Sequence, residues 1–113
     1  MPLETDELSL IFFALAHPVR RKLLLRLKDG KASVSELIKP LNVTSPMMTK
    51  HLKILQKAKL IERDRVQQHL FSSIQPETMV KVKDWIDEYK EIWQGRIDRL
   101  EDLYKTEQNK KGK

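Results

Sequence analysis

The chain has 113 residues, 40% of them hydrophobic and 34% charged, with a formal net charge of +6 and no cysteine. This suffices for one small domain with a modest core, and the lack of cysteine excludes disulfides, thiolate nucleophiles and sulfur-ligated metal sites. No apolar run approaches the roughly 20 residues that span a bilayer, and the acidic opening MPLETDEL lacks the basic-then-apolar order of a secretion signal. A cytoplasmic protein without a membrane partner is expected.

The cationic excess is unevenly placed. Residues 1–76 hold 13 Lys or Arg against 7 Asp or Glu, whereas residues 77–113 hold 9 of each. Polyanion binding by the first two-thirds, and a different task for the rest, fits this split. A generally basic soluble domain is the plain alternative.

The first helix is predicted from Thr5 to Ala16. Leu8, Ile11, Phe12 and Leu15 form one apolar stripe, and Leu10 and Phe13 leave it, which implies burial on two sides. Pro18 then suits the first position of a second helix, PVRRKLLLRLKDG, which stops at Gly30. Leu23, Leu24 and Leu27 should face inward, with Arg20, Arg21, Lys22 and Arg26 in water. Arg20 and Arg21 are expected to pair with acids such as Asp6, with DNA contact as the alternative. His17 reads as a turn residue.

SVSE, residues 33–36, is a capping box that opens a short helix ended by a turn at Asn42 and Val43. Ser45 should cap the next helix, with Pro46 as its first residue. Met48, Leu52 and Leu55 form its apolar side at i, i+4, i+7. Pro46, Thr49, Lys50 and Lys53 lie opposite, with Ser45 and Met47 at the leading end, and no acid occurs from Thr44 through Leu60. Two helices joined by a turn of three or four residues, the second one cationic, make the helix-turn-helix pattern. On this reading Lys50 and Lys53 neutralise phosphates, while Thr49 and Met47 touch base edges or a thymine methyl. The plain alternative is a solvated face. His51 is expected to be a packed, hydrogen-bonded histidine.

Residues 60–74, LIERDRVQQHLFSSI, change period and read as a two-stranded hairpin turning near Val66 and Gln67. Arg63, Arg65, Gln67 and Gln68 would sit at its tip, within reach of the DNA backbone or minor groove. A long helix follows from about Glu77 to Lys105, and TEQNKKGK, residues 106–113, forms a polar, frayed tail. Trp85, Tyr89 and Trp93 recur at i, i+4, i+8, and Ile86, Ile92, Ile97, Leu100, Leu103 and Tyr104 extend the apolar surface. A second copy of the chain would cover it. Its interface is expected at Leu10, Phe13, Trp85, Tyr89, Ile92, Trp93, Ile97 and Leu100. Gly95 marks either a close approach of another backbone or a tolerated glycine. The acids Asp84, Asp87, Glu88 and Glu91 alternate with Lys81, Lys83 and Lys90, which suits a solvated face rather than paired catalytic acids.

The strings LAHPVRRKLLLRL (15–27), SVSELI (33–38), SPMMTKHLKILQKAKLI (45–61) and DWIDEYKEIWQGRIDRLEDL (84–103) occur in the order seen in the ArsR family of bacterial winged-helix repressors, which the chain resembles over nearly its whole length. The subgroup it resembles lacks a cysteine metal site and has a Trp/Tyr-rich last helix. The resemblance implies a mainly α fold of about five helices with a two-stranded wing, a homodimer, and double-stranded DNA as partner. Two positions depart from the family's pattern: Lys59 stands where Gly is usual, and the hairpin tip lacks Gly. Many relatives sense metals, but ELIKPL has no cysteine here, and His17, His51 and His69 all lie off the last helix. No cofactor or metal is expected, a carboxylate-only cation site being the residual alternative, and no effector can be read. The expected function is a sequence-specific repressor on a palindromic operator, within a single domain spanning 1–105 (helix-turn-helix 33–58, wing 60–74, dimerisation helix 77–105). The alternative is a protein-interaction adaptor that no longer reads DNA. An enzyme is disfavoured, because the chain has no Gly-rich phosphate loop and no nucleophile with a base at useful spacing.

Overall fold

The computed structural model describes residues 5–111, with side chains from Asp6 to Asn109. The elements are α1 (Thr5–Leu15), α2 (Pro18–Leu27), β1 (Ala32–Ser33), α3 (Val34–Leu41), α4 (Ser45–Lys57), β2 (Ile61–Val66), β3 (His69–Ile74) and α5 (Pro76–Lys111). This is the winged helix-turn-helix order, with one strand more than the sequence announced. The sheet runs β1-β3-β2, and Ala32 and Ser33 pair antiparallel with Ser72 and Phe71. Two residues are too few to leave an alternating trace, and their pairing depends on a strand far along the chain.

Local chemistry fixes where the helices start. His17 caps α2, its Nδ1 accepting the Val19 N–H at 3.1 Å. The capping box forms as expected: the Glu36 N–H donates to Ser33 Oγ at 3.3 Å, and the Ser33 N–H donates to Glu36 Oε1 at 3.4 Å. Asn42 ends α3 in the left-handed region, φ 52. The cap of α4 is Thr44 rather than Ser45. Thr44 keeps an extended backbone while its hydroxyl accepts the Met47 N–H at 3.3 Å, and Ser45 is already helical.

One core gathers Leu23 and Leu27 of α2, Leu37 of α3, and Met48, Leu52 and Leu55 of α4 under Leu60 and Ile61. Ile11 and Ala14 bring α1 into it. Phe12, expected in the same stripe, turns away from this core and meets Trp85 edge-on, ring centroids 5.1 Å apart. Arg20 also corrects its expectation, being buried rather than wet. Its Nε donates to the Ala14 carbonyl at 2.7 Å and its Nη2 to the Phe13 carbonyl at 2.9 Å, while Arg21 Nη1 donates to the Leu15 carbonyl at 2.6 Å. The two arginines thus satisfy the orphan carbonyls of the last turn of α1, where the helix dipole also favours a cation. Their partners are backbone carbonyls, not a carboxylate such as Asp6.

Helix α5 continues six residues beyond the expected end at Lys105. Residues 106–111 contain helix formers and neither Pro nor Gly, and Thr106 Oγ1 donates back to the Asp102 carbonyl at 2.8 Å. Thirty-six residues at about 1.5 Å each make a rod of ~54 Å, in a molecule measuring 70 × 35 × 22 Å. Only its beginning rests on the body. Thr78 and Val82 are buried and Trp85 is half-buried, whereas every side chain from Ile86 to Asn109 is exposed.

Candidate nucleic-acid interface

Helix α4 divides cleanly. Met48, His51, Leu52 and Leu55 are buried, while Ser45, Pro46, Met47, Lys50 and Lys53 are exposed. Pro46, Thr49, Lys50, Lys53, Ile54 and Lys57 line one shallow groove along the outer side, with Thr49 and Ile54 half-buried at its floor. Lys57 and Ile54 were not singled out from sequence. The signal was available, since Lys57 continues the row of Lys50 and Lys53 by one more helical turn.

His51 shows how the helix is anchored. Only 3% exposed, it accepts a hydrogen bond at Nδ1 from Arg20 Nη1 at 3.3 Å, and its ring lies against His17, centroids 4.6 Å apart. Arginine can only donate, so Nδ1 carries no proton and the ring is the neutral Nε2–H tautomer. Burial first, then the positive surroundings of His17, Arg20 and Lys50, hold its pKa below the usual imidazole value. Through one guanidinium, the inner side of α4 is tied to the last carbonyls of α1.

In the wing, Gln67 and Gln68 form the tip between the paired residues Val66 and His69. Gln67 takes φ 58, doing without glycine in the left-handed region. Arg65 is exposed one pair below the tip, opposite Leu70. Arg63 is not at the tip. It is half-buried opposite Ser72, and Arg63 Nε and Ser72 Oγ are both buried without a hydrogen-bond partner among the described residues. A second open groove joins wing to helix-turn-helix, bringing the hydroxyls of Ser33, Ser35 and Ser45 beside Gln68 and His69. Ser35 and His69 escaped the sequence reading because nothing in the string links the capping-box region to the wing tip.

At the other end, Phe13 on α1 and Tyr89, Ile92, Trp93, Ile97 and Leu100 on α5 are exposed. Leu10 and Trp85 are partly taken up by their own chain. Leu10 packs on the core, and Trp85 is held between Phe12 and Tyr89. Ile86, Leu103 and Tyr104 are exposed along with them, as the apolar spacing of the last helix predicts, and Phe12 enlarges this surface beyond the residues expected.

Comparison with known proteins decides the family. The helix-turn-helix domain family matches residues 15–64. The crystal structure of an ArsR family transcriptional regulator aligns at a TM-score of 0.75 with 35% identity, covering 83% of this chain and 97% of that one. The chain belongs to the ArsR family. It is also 29% identical to the transcriptional repressor SdpR of Bacillus subtilis over 76 residues, 67% of this chain and 84% of that protein. The homodimeric winged helix-turn-helix DNA-binding domain of Mycobacterium bovis, solved by NMR, shares the fold at a TM-score of 0.62 and 18% identity, covering 77% of this chain and 82% of that one.

As an ArsR-family chain it is a DNA-binding regulator of transcription, not an enzyme. Among the described residues, no three His, Asp or Glu side chains gather as a group able to hold a metal ion. The acids of α5 sit on a solvated face, where Lys83 pairs with Asp87 at 2.7 Å. No helix among the described residues is long and apolar enough to cross a membrane.

Proposed function

We propose that the protein represses transcription from the cytoplasm as a homodimer on a palindromic operator. Each protomer places α4 in the major groove, the two helices about one turn (roughly 34 Å) apart. The observation that carries this reading is the exposed, acid-free lysine row of α4, Lys50, Lys53 and Lys57, backed by a helix side locked into the core. Lys50 and Lys53 neutralise phosphates, and Thr49 and Met47 meet base edges at the end opened by Ser45 and Pro46. Arg65, Gln67 and Gln68 reach the neighbouring backbone or minor groove, while Arg63 serves the stem of the wing. The second copy lies on Phe13, Tyr89, Ile92, Trp93, Ile97 and Leu100. The homodimeric state of the Mycobacterium bovis domain supports the pairing, and the repressor SdpR supports the direction of regulation.

The test is selection of bound fragments from random DNA at near-physiological salt, with the mass of each complex measured. Enrichment of an inverted repeat holding two chains per site is expected. Recovery of DNA without any shared sequence, or of one chain per site, would sink the proposal.

A further inference from the structure

Arg20 joins groups that the sequence keeps far apart. It is 6% exposed, in the first turn of α2, and its guanidinium is held from two helices. Nε and Nη2 donate to the Ala14 and Phe13 carbonyls of α1, at 2.7 and 2.9 Å, while Nη1 donates to His51 Nδ1 on α4 at 3.3 Å. The same guanidinium lies over the Phe13 ring, 5.2 Å from its centroid. Phe13 is 59% exposed and faces outward with the apolar side chains of α5. His51 belongs to the inner side of the reading helix, next to Lys50 and one turn beyond Met47.

Packing alone does not call for a cation at this place. The ion pairs among the described residues are Arg26–Glu36 and Lys83–Asp87, so no carboxylate there offsets the buried charge. Burial holds the Arg20 pKa below the usual guanidinium value. An apolar side chain would fill the space without that desolvation cost. What the guanidinium adds is direction. Its donors sit in a rigid planar fork, so the bonds to α1 and to α4 cannot both keep good geometry if the two helices shift against each other.

We propose that Arg20 and His51 are positioning residues that couple pairing of the chain to DNA reading. A second copy seated on Phe13 fixes the last turn of α1. Arg20 carries that order to His51, and the outer side of α4 from Met47 to Lys53 is then presented in one orientation. In a solitary chain the Phe13 ring stays in water, and the turn beneath it is held less firmly. By linkage, a half-site bound to one protomer favours pairing by the same factor by which pairing favours the half-site. The proposal rests on the pairing and DNA readings above.

The test measures affinity for a short duplex carrying one operator half-site, counted per protomer, so that bivalent binding plays no part. The wild-type dimer should bind it about tenfold more tightly than the monomer made by Trp93→Asp with Leu100→Asp. His51→Asn keeps an acceptor near the place of Nδ1 and should retain most of this gap. His51→Leu removes the acceptor, and its dimer should fall to the affinity of its monomer. Thermal unfolding checks that His51→Leu is folded, and Arg20→Lys, which lacks the planar fork, takes its place if it is not. Equal affinity of wild-type dimer and monomer, or a full gap in the variant that lacks the link, overturns the proposal. A second arm uses no DNA and follows the Arg20 Nε–H and the His51 ring nitrogens by NMR. Both should differ between dimer and monomer, and identical signals overturn the link. Failure of a paired chain to hold any operator strikes the DNA reading and leaves this second arm standing.

Discussion

Lys50 and Thr49 are neighbours on α4, yet their replacements should fail in different ways. Lys50→Ala removes one phosphate contact, so affinity falls for all sequences and the slope of log K against log salt shrinks by about 0.9. Thr49→Ala leaves that slope alone and changes which base is preferred at one operator position. Binding isotherms across a salt series, on cognate and single-base variant sites, separate the two. His51 supports a prediction of another kind. Its folded-state pKa lies below the unfolded value, so above the ordinary imidazole range both states are neutral and the Arg20 hydrogen bond is intact. As pH falls through that range the unfolded chain gains a proton that the native chain refuses, and stability declines until the depressed folded pKa is reached. Urea unfolding between about pH 8 and pH 5 should show this decline, and His51→Gln should flatten it. The lysine row was legible in the string because an acid-free helix side is a local property. Arg20 was not. Periodicity put it in water, and the groups that bury it are backbone carbonyls of α1, which no side-chain pattern reveals.

At the scale of elements, caps and turns were read well wherever one residue dominates the choice. Pro18, the Ser33–Glu36 box and Asn42 all act as their chemistry requires. Thr44 and Ser45 are both able to cap, and only the extended backbone at Thr44 decides between them. The third strand and the last six residues of α5 went unread for opposite reasons. Ala32–Ser33 is made by a distant partner, and residues 106–111 are polar enough to pass for a tail. Gly95 lies on the side of α5 away from Trp93 and Ile97, and a Cβ there meets nothing within 4 Å. Gly95→Ala should therefore stabilise the protein by about 1 kcal/mol, measured by thermal unfolding, with dimerisation unchanged. A loss of stability would mean that another backbone packs against that side.

The molecule as a whole is a compact reading body from which a long helix projects. The apolar groups on the free part of α5, together with Phe12 and Phe13, stay largely exposed among the described residues. Trp93→Asp with Leu100→Asp should give a monomer by light scattering that keeps the body's fold and loses specific DNA retention. The unaltered protein should unfold at a temperature that rises with its concentration, because pairing and ordering of α5 are coupled. An unaltered chain that stays monomeric at working concentration would refute this. The exposed apolar side was visible in the aromatic spacing of α5. Its true extent was not, because Phe12 shows which way it points only once Ile11 has claimed the core.

The bare outer half of α5 also governs how the molecule answers to its own abundance. On the proposed pairing a solitary copy is an unfinished tool, so when copies are scarce the working species would grow with the square of the number made. A promoter under its control would then switch over a narrower span of synthesis than one watched by a single-chain reader.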